Sequence, residues 1–263
     1  MSLQNPRTPI ADERIFIMYH QITELYFRLI LDAIELVADA EKPDLALFKR
    51  QIGRINRYFE QLNNSFDIMV DGMDRDEFLK FRMSLLPASG FQSCQYRMIE
   101  IASSDLQQMV HPSKRELAAG VSEVKLLYPI LYWKNGATEL ATGKKTLTLR
   151  QFETKYSDHL VHYAEKMQDK NLRRSFLKLP AEAQNDPELQ ALLREHDLNA
   201  NVRWPLSHYR SAVRHLETKP NVIAATGGTN WQQYLPPKMQ LVVFYPELWT
   251  EAQIAEWGRF STI

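Results

Sequence analysis

The chemistry available to this chain rests mainly on its seven histidines (His20, His111, His159, His162, His196, His208 and His215), on Arg82, and on a broken corner that follows it. The corner reads Pro87-Ala88-Ser89-Gly90-Phe91-Gln92-Ser93, with Tyr96-Arg97 just beyond. A Pro and a Gly three residues apart break a helix. The break leaves backbone N–H groups and the Ser89 hydroxyl at the mouth of the next helix, where a polar ligand can be held. The plainer reading is a helix–helix corner capped by Ser89. His20 follows Phe16 by one helical turn, and Thr23 and Phe27 continue that face. Read alone, His20 is a hydrogen-bonded core histidine, and His208, four residues after Trp204, is equally plain. His159 and His162 stand three apart on a helix, a spacing that can bind a metal but is a weak signal as a two-residue set. There is no His-Glu-x-x-His, Cys-x-x-Cys or Gly-x-Ser-x-Gly. Ala225-Thr226-Gly227-Gly228-Thr229 looks like a phosphate loop but lacks the Lys-Ser or Lys-Thr that would complete one.

Composition narrows the classes. A chain of 263 residues with 44% hydrophobic residues fits one domain with a sizeable core. A formal net charge of zero argues against a nucleic-acid binder. The single cysteine, Cys94, excludes an intrachain disulfide and points to a reducing, cytoplasmic compartment. No basic start precedes an apolar run, so no signal peptide is expected. No run of about 18 apolar residues suggests a membrane span.

The elements that must position these side chains read as helices. Residues 1–11, polar and with two prolines, are expected to form a loose arm. A long helix opens near Asp12 and runs to about residue 40; with apolar residues such as Ile17, Leu25 and Leu29 on its other faces, it is expected to be buried on several sides. Pro43-Asp44 starts a second helix, whose Ile52, Ile55, Phe59, Leu62, Phe66 and Met69 form a seam for antiparallel packing. Asp74 and Glu77 read as a capping box for a helix from 75 to 85, placing Phe78 and Arg82 on one face. Further helices are expected over 91–102, 113–128, 148–178 (capped by Thr148 with Gln151), 187–196 and 204–218, with a short one from Thr250. Residues 146–148 could be a short extended piece. Residues 219–237, with three prolines and two glycines, read as a loop. The pattern is that of a single all-α domain, a helical bundle.

At this point the sequence resembles a known family. Phe16-Ile17-Met18-Tyr19-His20-Gln21 with Glu24-Leu25 resembles the first helix of the tryptophan 2,3-dioxygenases. Phe81-Arg82, Leu86-Pro87-Ala88-Ser89-Gly90-Phe91-Gln92-Ser93 and Gln95-Tyr96-Arg97 resemble their central signature. Trp204-x-x-x-His208, with Arg214 and Leu216, resembles their haem-ligand helix, and Thr226-Gly227-Gly228 their substrate loop. The four motifs occur in the family's order.

The resemblance implies haem b between helices, with His208 as the axial ligand of the iron and the opposite face open to O₂. It implies His20 near the indole nitrogen of bound L-tryptophan, Phe16 packed on the indole, and Phe78 lining the same pocket. Arg82 would pair with the substrate carboxylate, for which its planar fork suits a two-pronged contact. Ser89 would lie near the haem and the ring, and Thr226 would contact the amino and carboxylate groups from a closing loop. The implied reaction adds both oxygen atoms across the indole C2–C3 bond to give N-formylkynurenine, a step of tryptophan catabolism, in a homo-oligomer (tetramer or dimer). The sequence also departs from the family. Its first 11 residues lack tyrosine, Ala11 stands where the family has histidine, and Tyr26 where it has tryptophan. Extra residues surround Lys219-Pro220-Asn221, and Thr229-Asn230-Trp231 replaces a small-residue run. These changes keep two alternatives in view: a haem-dependent mono-oxygenase or hydroxylase of another aromatic amino acid or substituted indole, and a helical bundle that has lost catalysis and only binds haem or a small aromatic ligand.

Overall fold

The computed structural model describes residues 4–86, 93–137, 144–218, 221–225 and 231–259. The corner at 87–92, with Ser89, and the loop at 226–230, with Thr226, lie outside them. Helices dominate, as the sequence pattern predicts. Seven carry the architecture: α1 (Asp12–Ala38), α2 (Leu45–Ser65), α3 (Arg75–Phe81), α4 (Cys94–Ser103), α5 (Leu147–Met167), α6 (Pro187–Leu198) and α7 (Trp204–Leu216). The helix α1 packs on α2 and α4; α2 also packs on α6, and α4 on α5. The expected seam is buried throughout: Ile52, Ile55, Phe59, Leu62, Phe66 and Met69 belong to one continuous apolar core.

Local chemistry sets the helix starts. Asp44 accepts from Leu47 N, Asp74 from Glu77 N, Ser93 from Tyr96 N and Asp186 from Leu189 N. The cap at the corner is therefore Ser93. Glu77 does not complete a capping box. Its carboxylate accepts from Asp12 N at 3.3 Å, while Asp74 N donates to Asp12 Oδ2 at 2.6 Å. This cross-capping clips the starts of α1 and α3 together and sets Phe16 beside Phe78, ring centroids 6.3 Å apart. The arm before α1 is irregular but held. The Glu13 carboxylate takes Arg7 N and Thr8 N, and the Arg7 guanidinium donates to the carbonyls of Ser84 and Leu86.

Several expected elements differ. The helix expected over 113–128 is broken into short turns (Pro112–Lys114, Arg115–Ala118, Val124–Leu127, Tyr128–Ile130), because Gly120 takes a positive φ of 74° and Pro129 has no N–H to extend a helix. The cap of α5 is Thr146, two residues before Thr148, and 146–148 is no strand. That helix ends at Met167, where Asn171 caps a separate turn, Leu172–Leu177. Beyond α7, Glu217 and Thr218 pair antiparallel with Val222 and Asn221, so the loop expected from 219 opens with a two-stranded ribbon. It then carries the helical turn Trp231–Tyr234. Of the further α1 positions expected to be buried, Ile17 is, whereas Leu25 is 63% and Leu29 44% exposed. Among the described residues no helix is long and apolar enough to cross a membrane.

Between α6 and α7 the chain makes a wider, π-helical turn over Asn199–Arg203. Trp204 N–H reaches back five residues, to Asn199 O. Ala200 O is then left without its usual donor, and the next candidate, residue 205, is a proline without an N–H. The Tyr96 hydroxyl fills the gap, donating to Ala200 O at 2.7 Å. A tyrosine of α4 thus stabilises the irregular backbone that leads into α7.

Candidate active site

A cavity of about 310 Å³ lies where α1, α3, α4 and α7 converge. The face expected on α1 lines it: Phe16, His20, Thr23 and Phe27. Phe78 closes it from α3, and Trp204, His208 and His215 from α7. The sequence therefore brings Phe16, His20, Phe78 and His208 to one place.

The two motif histidines are held alike. His20 Nδ1 is 2.7 Å from Phe16 O, and His208 Nδ1 is 3.0 Å from Trp204 O, each one turn back in its own helix. A carbonyl only accepts, so each Nδ1 carries the proton and each Nε2 keeps a bare lone pair. Burial pulls both pKa values down, that of His208 to about 4. Positive charge on His20 or Arg97 pulls His208 down further. Both rings are thus neutral at pH 7. Their aromatic neighbours fix their planes: Phe16 at 4.1 Å from His20, and Phe66 and Trp204 each at 4.6 Å from His208, centroid to centroid. Among the described residues no cluster of three or more His, Cys, Asp or Glu side chains is arranged to hold a bare ion. A metal here would have to bring most of its ligands with it, as a porphyrin does.

Arg82 lies behind the cavity wall. It is buried, and its Nη2 donates to Ala224 O at 2.9 Å. Its Nη1 is buried with no hydrogen-bond partner among the described residues. The next residue after its acceptor, Ala225, lines the cavity, as does Leu85. Burial lowers the guanidinium's pKa, yet so basic a group keeps its charge. It is a fixed buried cation with a donor to spare.

Other wall residues were not singled out by type and spacing. Arg97 donates to Glu100 at 2.5 Å and to the Tyr132 hydroxyl at 2.8 Å, and Tyr132 donates to Glu100 at 2.5 Å. Burial disfavours the Arg97 cation, but Glu100 and Tyr132 outweigh it and push its pKa up. Arg97 and Tyr132 touch the cavity, and this closed network braces α4 behind it. Tyr96-Arg97 belongs to the quoted signature, but nothing local pointed to Tyr132. Trp231, the bulky residue at the end of the altered loop, is buried in the wall and donates from Nε1 to Ile223 O. His215 is buried there too.

Fold and site together define a class: a helical protein whose cavity, walled by aromatic rings, presents two neutral, tautomer-locked imidazoles, with a fixed buried arginine behind its wall. A family model described as tryptophan 2,3-dioxygenase matches residues 1–218. Among curated relatives, the tryptophan 2,3-dioxygenase of Polaromonas sp. (strain JS666) is 30% identical over 257 residues, covering 95% of this chain and 82% of the relative. That of Ruegeria sp. (strain TM1040) is 29% identical over 256 residues, covering 94% and 86%. That of Bradyrhizobium diazoefficiens is 27% identical over 260 residues, covering 95% and 86%. The chain belongs to the tryptophan 2,3-dioxygenase family.

Proposed function

We propose that this protein is a haem-dependent oxygenase that inserts O₂ across the indole C2–C3 bond of L-tryptophan, giving N-formylkynurenine. The observation that carries the reading is the pair of bare Nε2 lone pairs, on His20 and His208, presented to one cavity by a shared device, the Nδ1–H to carbonyl bond. Such a bond to Nδ1 is the usual support of an imidazole that ligates through Nε2. The residues present therefore fit a haem: His208 would hold the iron. The haem, when bound, supplies the binding and activation of O₂ and the delivery of its atoms to the ring.

The chain's own part is positioning. Neutral His20 accepts the indole N–H at Nε2 and so orients the ring. Phe16 and Phe78 pack on its apolar faces and keep water out. Arg82 anchors the carboxylate through its spare Nη1, with Ala224 O fixing the other side of its fork. Ser89 lies near the haem and the ring, and Thr226 contacts the amino acid's polar end from the loop that closes over it. The protein works in the cytoplasm as a homo-oligomer (tetramer or dimer). In support, α1 exposes Met18, Ile22, Leu25, Leu29 and Leu36, spaced by four, three, four and seven residues along one edge.

The test is an absorption spectrum of protein expressed with a haem precursor, before and after anaerobic L-tryptophan. A Soret band that shifts on addition is expected, followed by N-formylkynurenine absorbance when air is admitted. Oxygenation of a different aromatic amino acid, with tryptophan untouched, would favour the mono-oxygenase alternative, for which Trp231 in the cavity wall is the relevant departure.

A further inference from the structure

The cavity holds a third imidazole that the proposed reaction leaves unused. His215 lies seven residues, about two turns, beyond His208 on α7, and is 2% exposed. Its Nε2 is 2.7 Å from Met69 O, so the proton sits on Nε2 and Nδ1 is a bare acceptor. This is the reverse of the tautomer of His20 and His208. Nδ1 is buried and has no partner among the described residues, although the ring lines the cavity. Buried polar atoms are nearly always satisfied, so an orphan on a cavity wall marks where a donor is expected to arrive.

The surroundings say which donor. The His215 ring lies 5.0 Å from Phe78, Phe78 lies 6.3 Å from Phe16, and Phe16 lies 4.1 Å from His20. The imidazoles of His20 and His215 are thus joined through two phenylalanine rings of one aromatic wall. Arg82 holds Ala224 O, and the preceding residue, Ile223, donates from its N–H to Leu216 O, next to His215, which puts the carboxylate anchor at the His215 end. In an α-amino acid the ammonium is one carbon from the carboxylate, so it arrives at the same end. Burial, with Arg214 and Arg75 nearby, lowers the His215 pKa and keeps the ring an acceptor rather than a competing cation.

We propose that Nδ1 of His215 accepts a hydrogen bond from the α-ammonium group of the substrate and makes this enzyme selective for amino acids over their des-amino analogues. The proposal rests on the functional reading above. His215 is a specificity-determining residue, distinct from the iron-facing and indole-facing pair.

The experiment compares L-tryptophan with indole-3-propionate, which keeps the ring and carboxylate but lacks the amine. Both are titrated into haem-loaded wild type, His215→Leu and His215→Asn, followed by the Soret shift. His215→Leu is expected to weaken L-tryptophan about ten- to a hundredfold and to leave indole-3-propionate within about twofold. His215→Asn, whose Oδ1 can stand near the place of Nδ1, is expected to recover part of the L-tryptophan affinity. Parallel loss of both ligands in His215→Leu, or no loss of either, would overturn the ammonium assignment and leave the functional reading standing. Wild type that bound haem but neither tryptophan nor any other aromatic amino acid would overturn the functional reading, and the assignment with it. Misfolding of His215→Leu would show as a lost Soret band; the assignment would then be decided by His215→Asn, which must still prefer L-tryptophan over indole-3-propionate.

Discussion

Each histidine of the cavity is defined by the atom its other nitrogen touches. His208 donates from Nδ1 to Trp204 O, leaving the Nε2 lone pair for the proposed haem iron. His208→Ala should abolish haem retention, read as loss of the Soret band after gel filtration; normal retention would place the ligand elsewhere. Arg82→Ala should weaken L-tryptophan binding by about 2–5 kcal/mol, the usual cost of truncating one partner of a buried charge pair. Isothermal titration would show it, and unchanged affinity would mean that the carboxylate is held by another group. These residues were legible in the sequence because motif and periodicity agree: Phe16, His20, Thr23 and Phe27 share a face whatever the tertiary context. His215 was not, because nothing in sequence reveals that Met69 O takes the Nε2 proton. Arg82 was legible as a cation, but its place behind the wall depends on Ala224, 142 residues away along the chain.

At the level of elements, the join between α6 and α7 does the positioning. Tyr96→Phe removes the only donor assigned to Ala200 O among the described residues and leaves a buried carbonyl unpaired. It should cost about 1–3 kcal/mol in urea melts and loosen haem binding through α7. Just upstream, Asp197 is fully buried and accepts from Phe244 N, Tyr245 N, Asn201 Nδ2 and Trp249 Nε1, tying the carboxy-terminal segment to α6. Burial raises its pKa to about 6, while burial drops that of neighbouring His196 to about 3. The signs oppose. His196 gives stability that is present above pH 6.5 and lost as pH falls towards 3. Asp197 gives stability that is present below pH 3.8 and lost as pH rises through 6. Between pH 6 and 3.8 they largely cancel. Asp197→Asn should leave the histidine unopposed, so its melting temperature should fall more steeply than that of wild type as pH drops from 6.5 to 4. Parallel pH profiles would refute this. None of this join was legible beforehand. Pro205 inside a helical pattern was the one available sign of irregularity, whereas the partners of Asp197 come from a segment whose sequence shows no periodicity. The caps Asp44 and Asp74 were legible because an acidic side chain at a helix start acts on its own next turn.

On the scale of the whole molecule, one edge of α1 faces the cavity and the opposite edge faces solvent with the apolar row from Met18 to Leu36. The periodicity of α1 was readable, but burial of the face with Leu25 and Leu29 was an overestimate: a helix between a core and a free surface has the same composition as one inside a core. If α1 forms the proposed subunit contact, Leu25→Glu with Leu29→Glu should shift the sedimentation coefficient towards that of a monomer while leaving the Soret band in place; an unchanged coefficient would remove α1 from that contact. The wide turn at Asn199–Arg203 has a larger consequence. A π turn spends one residue more than an α turn on nearly the same rotation, so excising one amino acid there would restore ordinary winding and leave the aim of α7 almost unchanged. A shortened chain of this kind should keep its helical circular dichroism and its Soret band, and a colourless product would refute this. The spot is thus slack in the chain, able to give up a residue without re-aiming the helix beyond it.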